Sequence, residues 1–372
     1  MPTPLHRVAT IGAAVLIGAG GLAACGANDT GSGSGSDAGS GDGSGGGATI
    51  ALLLPESATT RYEAFDKPLF EAKVAELCSD CEVAYFNADQ DEAKQQEQVA
   101  SALTQGADVL VLDPVNGAGA GGMIADAQAE DVPVIAYDRF IEGADYYMSF
   151  DNNTVGQMQG EALVEAMGDT GGILMLNGAP SDPNAAQFKA GAHSVIDESG
   201  LELLSNEYDH PDWSPENAQS YVTDQVNKLG ADRIEGVYAA NDGQAGGVVA
   251  ALLGAGVKAA DLPPITGQDA ELAAVQRIVA GEQTVTIYKP IPIEAETAAE
   301  VAVDLALGNE VPTTSVTGVD QSDFEGVTSY IFSPTAVTQD NVGDTVIADG
   351  FYTADDICTS AYADACKAAG LQ

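Results

Sequence analysis

The residues of this chain best suited to chemistry are its scarce cations and the acids that recur beside them. Only 13 Lys and Arg stand against 56 Asp and Glu in 372 residues, and setting aside Arg7 near the start leaves 12. Three of the 12, Arg61, Arg139 and Lys289, follow short apolar runs, as do Asp138, Asp182 and Asp269. Amides and rings occupy equivalent places: Tyr62 beside Arg61, Asn184 after Asp182, the pair Asn241-Asp242, and Gln268 before Asp269. Trp213, the only Trp, lies in the polar segment 209–215, which reads as a loop. Carboxylates, amides and guanidinium groups are planar and can each engage two neighbouring hydroxyls, while a flat ring covers the C–H face of a pyranose. Three cations set against three acids would form a cluster without net charge, which avoids the penalty of isolated buried ions.

The elements that must position these groups are legible as alternating strands and helices. Apolar runs at 49–54, 83–86, 109–112 and 134–137 read as buried strands separated by amphipathic helical stretches. The rhythm resumes at 172–177, 235–240, 264–267 and 284–288. Runs apolar on both faces and joined by helices imply parallel sheets covered on both sides, so the chain reads as α/β, with two doubly wound lobes and a cleft between them. In open α/β sheets a ligand lies beyond the carboxyl ends of the strands. Each polar group named above follows such an end, so all of them should meet in the cleft.

Composition excludes other classes. A net charge of −43 argues against nucleic acid as a partner, because that affinity comes chiefly from Lys and Arg. The acidic excess reads as solvated surface. Residues 1–24 have signal-peptide proportions, with His6 and Arg7 ahead of an apolar run at 8–22. The sequence Leu22-Ala23-Ala24-Cys25 resembles a bacterial lipobox, in which the Cys is lipidated and becomes the new N-terminus. Residues 31–47 contain only Gly, Ser, Asp and Ala and form a flexible tether that spans about 20 Å. The expectation is therefore an exported domain on the outer face of the cell membrane, touching it through a lipid anchor only. In that oxidising setting Cys78, Cys81, Cys358 and Cys366 suggest two disulfides. Three pairings are open, and the local one, Cys78–Cys81 with Cys358–Cys366, is favoured over a zinc site or a redox pair. The stretch Gly117-Ala118-Gly119-Ala120-Gly121-Gly122 satisfies a dinucleotide fingerprint formally, but it follows the third strand, and Pro114-Val115-Asn116 stand where the tight turn should be. It reads as a helix entry.

Several motifs in order resemble the sugar-binding proteins of ABC importers, with the type I periplasmic-binding fold, and within them the xylose-binding branch. They are Tyr137-Asp138-Arg139, Ser149-Phe150-Asp151-Asn152, Pro180-Ser181-Asp182-Pro183-Asn184, Trp213-Ser214-Pro215-Glu216-Asn217, Asn241-Asp242, Gly267-Gln268-Asp269-Ala270 and Tyr288-Lys289-Pro290. The resemblance implies a monosaccharide ligand contacted by Arg61, Tyr62, Asp138, Arg139, Asp182, Asn184, Trp213, Asn241, Asp269 and Lys289. It implies no catalysis, no cofactor and no metal, a monomer, and delivery to an ABC permease with its ATPase. Three crossovers near Asp151-Asn152, Lys289 and Tyr330 would form a hinge between a lobe of 48–150 plus 290–329 and one of 151–289 plus 330–352, with 353–372 as a disulfide-bearing tail. D-xylose is the expected sugar, and glucose, galactose or arabinose are the alternatives. A sensor that presents its loaded state to a membrane receptor, and an exported carbohydrate enzyme, are the other readings.

Overall fold

The computed structural model describes residues 47–311 and 321–371. Cys25, the signal segment and nearly all of the tether lie outside the described residues. The strands run, in chain order, β1 Thr49–Leu54, β2 Glu82–Asn87, β3 Val109–Leu112, β4 Val134–Tyr137 and β5 Tyr146–Phe150. Then come β6 Gly171–Asn177, β7 Leu201–Leu203, β8 Tyr208–Asp209, β9 Gly236–Ala239, β10 Thr286–Tyr288, β11 Gln321–Phe324, β12 Val327–Phe332 and β13 Thr335–Val337.

The first lobe is one sheet in the order β11-β12-β5-β4-β3-β1-β2, parallel except for the β11–β12 hairpin. Its central strands are continuous apolar runs because helices cover both faces: every residue of β3 and β4 is fully or almost fully buried. In the second lobe β7, β8 and β9 all pair in parallel with β6. The expected strand at 264–267 is reduced to single bridges, Ile265 to Val237 and Gln268 to Ile287, which link β9 to β10. Strand β10 pairs antiparallel with β13.

Three segments cross between the lobes. The first leaves β5 at Asp151, whose carboxylate caps helix Asn152–Met167 by accepting from the Thr154 N–H (3.0 Å). The second passes through Lys289-Pro290 into helix Ile291–Ala306. The third falls after Phe332, so the expectation that placed it at Tyr330 is corrected. Tyr330 lies inside β12, paired with Met148 in an unbroken ladder from Thr328 to Phe332. The crossover is Ser333-Pro334, where Pro removes the N–H that would continue the ladder. The backbone N–H of Asp151 donates to Phe332 (3.1 Å), which ties the first crossover to the third.

Residues 353–371 are not a tail. Ile357, Cys358 and Cys366 are buried with Ile278, Val337 and Val346 in the core of the second lobe. The structure joins Cys358 to Cys366 there, and Cys78 to Cys81 at the turn that ends helix Lys67–Leu77. Behind the cleft, helices Asn152–Met167 and Pro183–Ile196 cross at glycines. A Cβ on Gly156 would lie 1.9 Å from the Phe188 carbonyl oxygen, and one on Gly191 would lie 2.0 Å from that of Asn153. This crossing lets Asn184 and Phe188 reach the interlobe space.

Candidate functional site

A small polar cavity lies between the lobes at the carboxyl ends of both sheets. The first lobe lines it with Arg61 and Tyr62 after β1, and with Asp138 and Arg139 after β4. The second lobe contributes Asp182 and Asn184 after β6, Trp213, Asn241 after β9, Asp269, and Lys289 after β10. Thr59, Phe188 and Gln268 complete the wall. The chain turns sharply at two of these ends: Asp138 has φ +57° and Asp269 +89°, in the left-handed region where short polar side chains are best tolerated.

Each cation is fixed before any ligand is considered. Arg61 grips Asp66 through two nitrogens (3.0 and 2.6 Å), reaches Glu294 (2.7 Å) and donates to Asp138 (3.1 Å). Tyr137 also donates to Asp66. Arg139 donates to the Pro114 carbonyl (3.0 Å) and to the Tyr62 hydroxyl (3.2 Å). The Lys289 ammonium stands 2.9 Å from Asp269 and 3.9 Å from Asp138, with the rings of Phe150 and Phe188 at 5.6 and 5.7 Å. Held this way, the cations present preset hydrogen-bond directions.

Contacts also cross the cleft. Arg139 Nε lies 2.9 Å from Asp182 of the other lobe. Asn184 donates to the Asp138 carbonyl (3.0 Å), and the Gly117 N–H donates to Ser181 (3.1 Å). Trp213 is buried, as its cavity role requires: its indole N–H donates to Asp182 (3.2 Å) and its ring meets Phe188 edge-on. Asn241 caps helix Asp242–Gly254 through the Gln244 N–H. Its neighbour Asp242 does not face the cavity and instead binds Thr286, Gln283 and the Glu271 N–H beneath it. Asn152 is buried and donates to Ser149 (3.3 Å), supporting the hinge. The Gly117–Gly122 stretch enters helix Gly121–Ala129, and a Cβ on Gly119 would lie 2.3 Å from the Glu92 carboxylate, surroundings that repel a phosphate.

The charge balance differs from the expectation of three against three. Asp66, Asp113 and Glu294, each at most 1% exposed, join Asp138, Asp182 and Asp269, so six carboxylates face three cations. Part of the acidic excess is therefore buried. Burial pushes Asp113 and Glu294 well above the ordinary carboxylate range, against the pull of Arg139 and Arg61 respectively, which moves the cluster back toward balance. Burial would also raise Asp138, but Arg61, Lys289 and Arg139 outweigh it and hold that carboxyl below its usual range. Sequence reasoning could have found Asp113, since it directly follows β3 by the same strand-end rule. Asp66 and Glu294 sit on helical segments and carry no such signal.

Two cavity groups retain unused capacity. Asn184 Oδ1 and Gln268 Oε1 are buried and accept no hydrogen bond among the described residues. Buried polar atoms are almost always paired, so this arrangement is suited to a ligand rich in hydroxyl donors.

Residues 50–310 match the model of the periplasmic binding protein domain. The chain belongs to the periplasmic binding protein family. This periplasmic binding protein is 36% identical, over 77% of its length and 86% of the relative's, to a D-xylose-binding periplasmic protein of Escherichia coli (strain K12). It is 31% identical, over 72% of its length and 81% of the relative's, to the multiple sugar-binding periplasmic receptor ChvE of Rhizobium radiobacter. Among solved structures, an ABC transporter solute binding protein from Clostridium phytofermentans with bound β-D-glucose superposes with a TM-score of 0.73 at 26% identity. That match covers 83% of this chain and 99% of the other. The α/β architecture with parallel-sheet cores is that of the family.

Proposed function

We propose that this protein is an exported, lipid-anchored solute-binding protein that captures a monosaccharide, D-xylose first among them, and delivers it to an ABC importer without chemical change. The observation that carries the reading is the cavity wall: planar carboxylate, amide and guanidinium groups from both lobes, closed in by Tyr62, Phe188 and Trp213. A ligand drives lobe closure only through its differential affinity for the closed state, and contacts from both lobes supply that difference. The ten residues named from sequence are proposed to contact sugar, with Thr59, Phe188 and Gln268 added to them, while Glu294 holds Arg61 from behind and Asp113 stands behind Arg139. Asp151, Asn152 and Ser333-Pro334 serve as hinge. The cavity acids are each committed to a cation, an arrangement for binding, whereas glycoside hydrolysis needs a pair of carboxyl groups set as acid and base.

Calorimetry against a panel of aldoses tests the reading. D-xylose should bind tightest, and silence for every aldose would overturn it. A broader aldose binder is the second reading, favoured by the 31% identity to the multiple-sugar receptor and by the glucose-bound structural relative. Comparable affinities for xylose, glucose and arabinose would select it. Mass spectrometry of the N-terminal peptide tests the anchor, with acylated Cys25 as the expected species. Neighbouring genes for a permease and an ATPase would separate import from sensing.

A further inference from the structure

Arg139 is flanked by carboxylates from opposite lobes. Its Nε stands 2.9 Å from Asp182 and 3.3 Å from Asp113, yet it is aligned for a hydrogen bond with neither. A guanidinium Nε carries one proton, so it can serve one of them well and not both. The other two nitrogens are engaged with Pro114 and Tyr62. Asp182 has further donors in the Asn184 backbone N–H and the Trp213 indole. Asp113 has none: it is wholly buried, and neither carboxylate oxygen accepts a hydrogen bond among the described residues. It also stands behind the cavity wall, where a ligand in the cavity does not reach it. An ionised carboxylate in such a place needs either the full attention of a cation or a proton.

We propose that Arg139 exchanges carboxylates as the lobes come together, leaving Asp113 of its own lobe for Asp182 of the other, and that Asp113 takes up one proton from solvent as the cleft closes on its ligand. The inference rests on the reading of this site as a closing solute-binding cleft. With the lobes apart, Asp182 is carried off and Asp113 is the carboxylate left beside Nε. The groups that face Asp113 are Arg139 and Asp138 after β4, Arg61 and Tyr62 after β1, and Asp182 across the cleft. Closure brings Asp182 near and excludes water, and both changes disfavour charge on Asp113. In the arrangement seen here burial, with Asp138 and Asp182 adding to it, outweighs Arg139 and Arg61 and favours the neutral form. Asp113 is then a positioning residue, acting on ligand through Arg139. Binding that consumes a proton weakens as pH rises, by up to about tenfold per pH unit between the open-state and closed-state pKa values.

The test is calorimetric titration of the full chain with D-xylose at pH 7, in buffers of low and high ionisation enthalpy. The expected result is an apparent enthalpy that varies with buffer and reports uptake approaching one proton. Asp113→Asn should take up none and hold its affinity constant from pH 6 to 8. Asp113→Glu, which keeps a titratable group, should retain uptake and serves if the Asn variant does not fold. Binding without proton uptake refutes this inference and leaves the solute-binding reading intact, whereas absence of binding to any aldose refutes both. Uptake undiminished in Asp113→Asn also refutes it and would point to Glu271, whose carboxylate accepts from Thr60 of the opposite lobe.

Discussion

Replacing Asp269 is the sharpest test of the cleft. Its carboxylate stands 2.9 Å from the Lys289 ammonium, whose next carboxylate, Asp138, is 3.9 Å away. Burial would depress the Lys289 pKa, but Asp269 and Asp138 outweigh it and hold the group charged. Asp269→Asn removes the charge while keeping size, an acceptor, and tolerance of the left-handed backbone at φ +89°. Truncating one member of a desolvated charge pair costs about 2–5 kcal/mol of binding, or roughly 30-fold to several thousand-fold in Kd. Stability should respond far less, by under about 1 kcal/mol, because parted lobes let water reach Lys289, which makes the pair resemble a surface ion pair in the open state. Asp269→Ala should lose as much affinity and add about 1 kcal/mol of backbone strain, since Ala tolerates that conformation poorly. Ligand titration can be followed through Trp213, the only Trp of the chain and part of the cavity wall, with thermal unfolding run in parallel. Affinity within threefold of the native protein would remove Asp269 from the site. A melting temperature that fell in proportion to affinity would show instead that the pair is a structural core element.

Three further outcomes are expected. A Cβ on Gly178 would lie 2.1 Å from the Trp213 ring, so Gly178→Ala should displace the indole and weaken sugar binding by about 5- to 150-fold, from an overpacking cost of about 1–3 kcal/mol; an unchanged Trp emission spectrum and Kd would refute this. Burial, with Asp269 adding to it, pushes Glu271 up to about 7. Its folded pKa exceeds the unfolded value of about 4.3, so its contribution to stability is complete below that value and is lost as pH rises through about 7. Glu271→Gln should therefore flatten the fall in melting temperature between pH 5 and 8, and equal slopes would count against the assignment. Removing the Cys358–Cys366 bridge, whose cysteines are 8 residues apart, by a double Cys→Ala change should lower stability by about 2–3 kcal/mol; a melting temperature indifferent to reductant would contradict it.

Much of the site could be read before the fold was known, because one rule places residues without any contact information. Parallel strands of one sheet point their carboxyl ends to one edge, so residues that follow β1 and β4 share the edge of one sheet and those that follow β6 and β9 share the edge of the other, whatever packs around them. Arg61, Arg139 and Lys289 could be singled out because cations are rare in so acidic a chain. The same rule points at Asp113, yet an acid among 56 others attracts no notice until its burial is seen. Strand β5 and the hairpin β11–β12 were harder to anticipate, since the register that holds Tyr330 opposite Met148 belongs to a pairing between segments nearly two hundred residues apart.

Sequence alone determined the α/β class, most of the central strands, a preference for local disulfide pairing, and the chemical character of the cleft. These depend on side-chain type and short-range periodicity, which a linear chain displays directly. Tertiary structure decided the charge of the site, through the burial of Asp66, Asp113 and Glu294 against the arginines. It also decided which carboxylate each arginine holds, where the third crossover lies, and that residues 353–371 belong to the second core. The physical reason is that desolvation and pairing depend on distances across the cleft and between packed layers, and those distances exist only after the chain has folded.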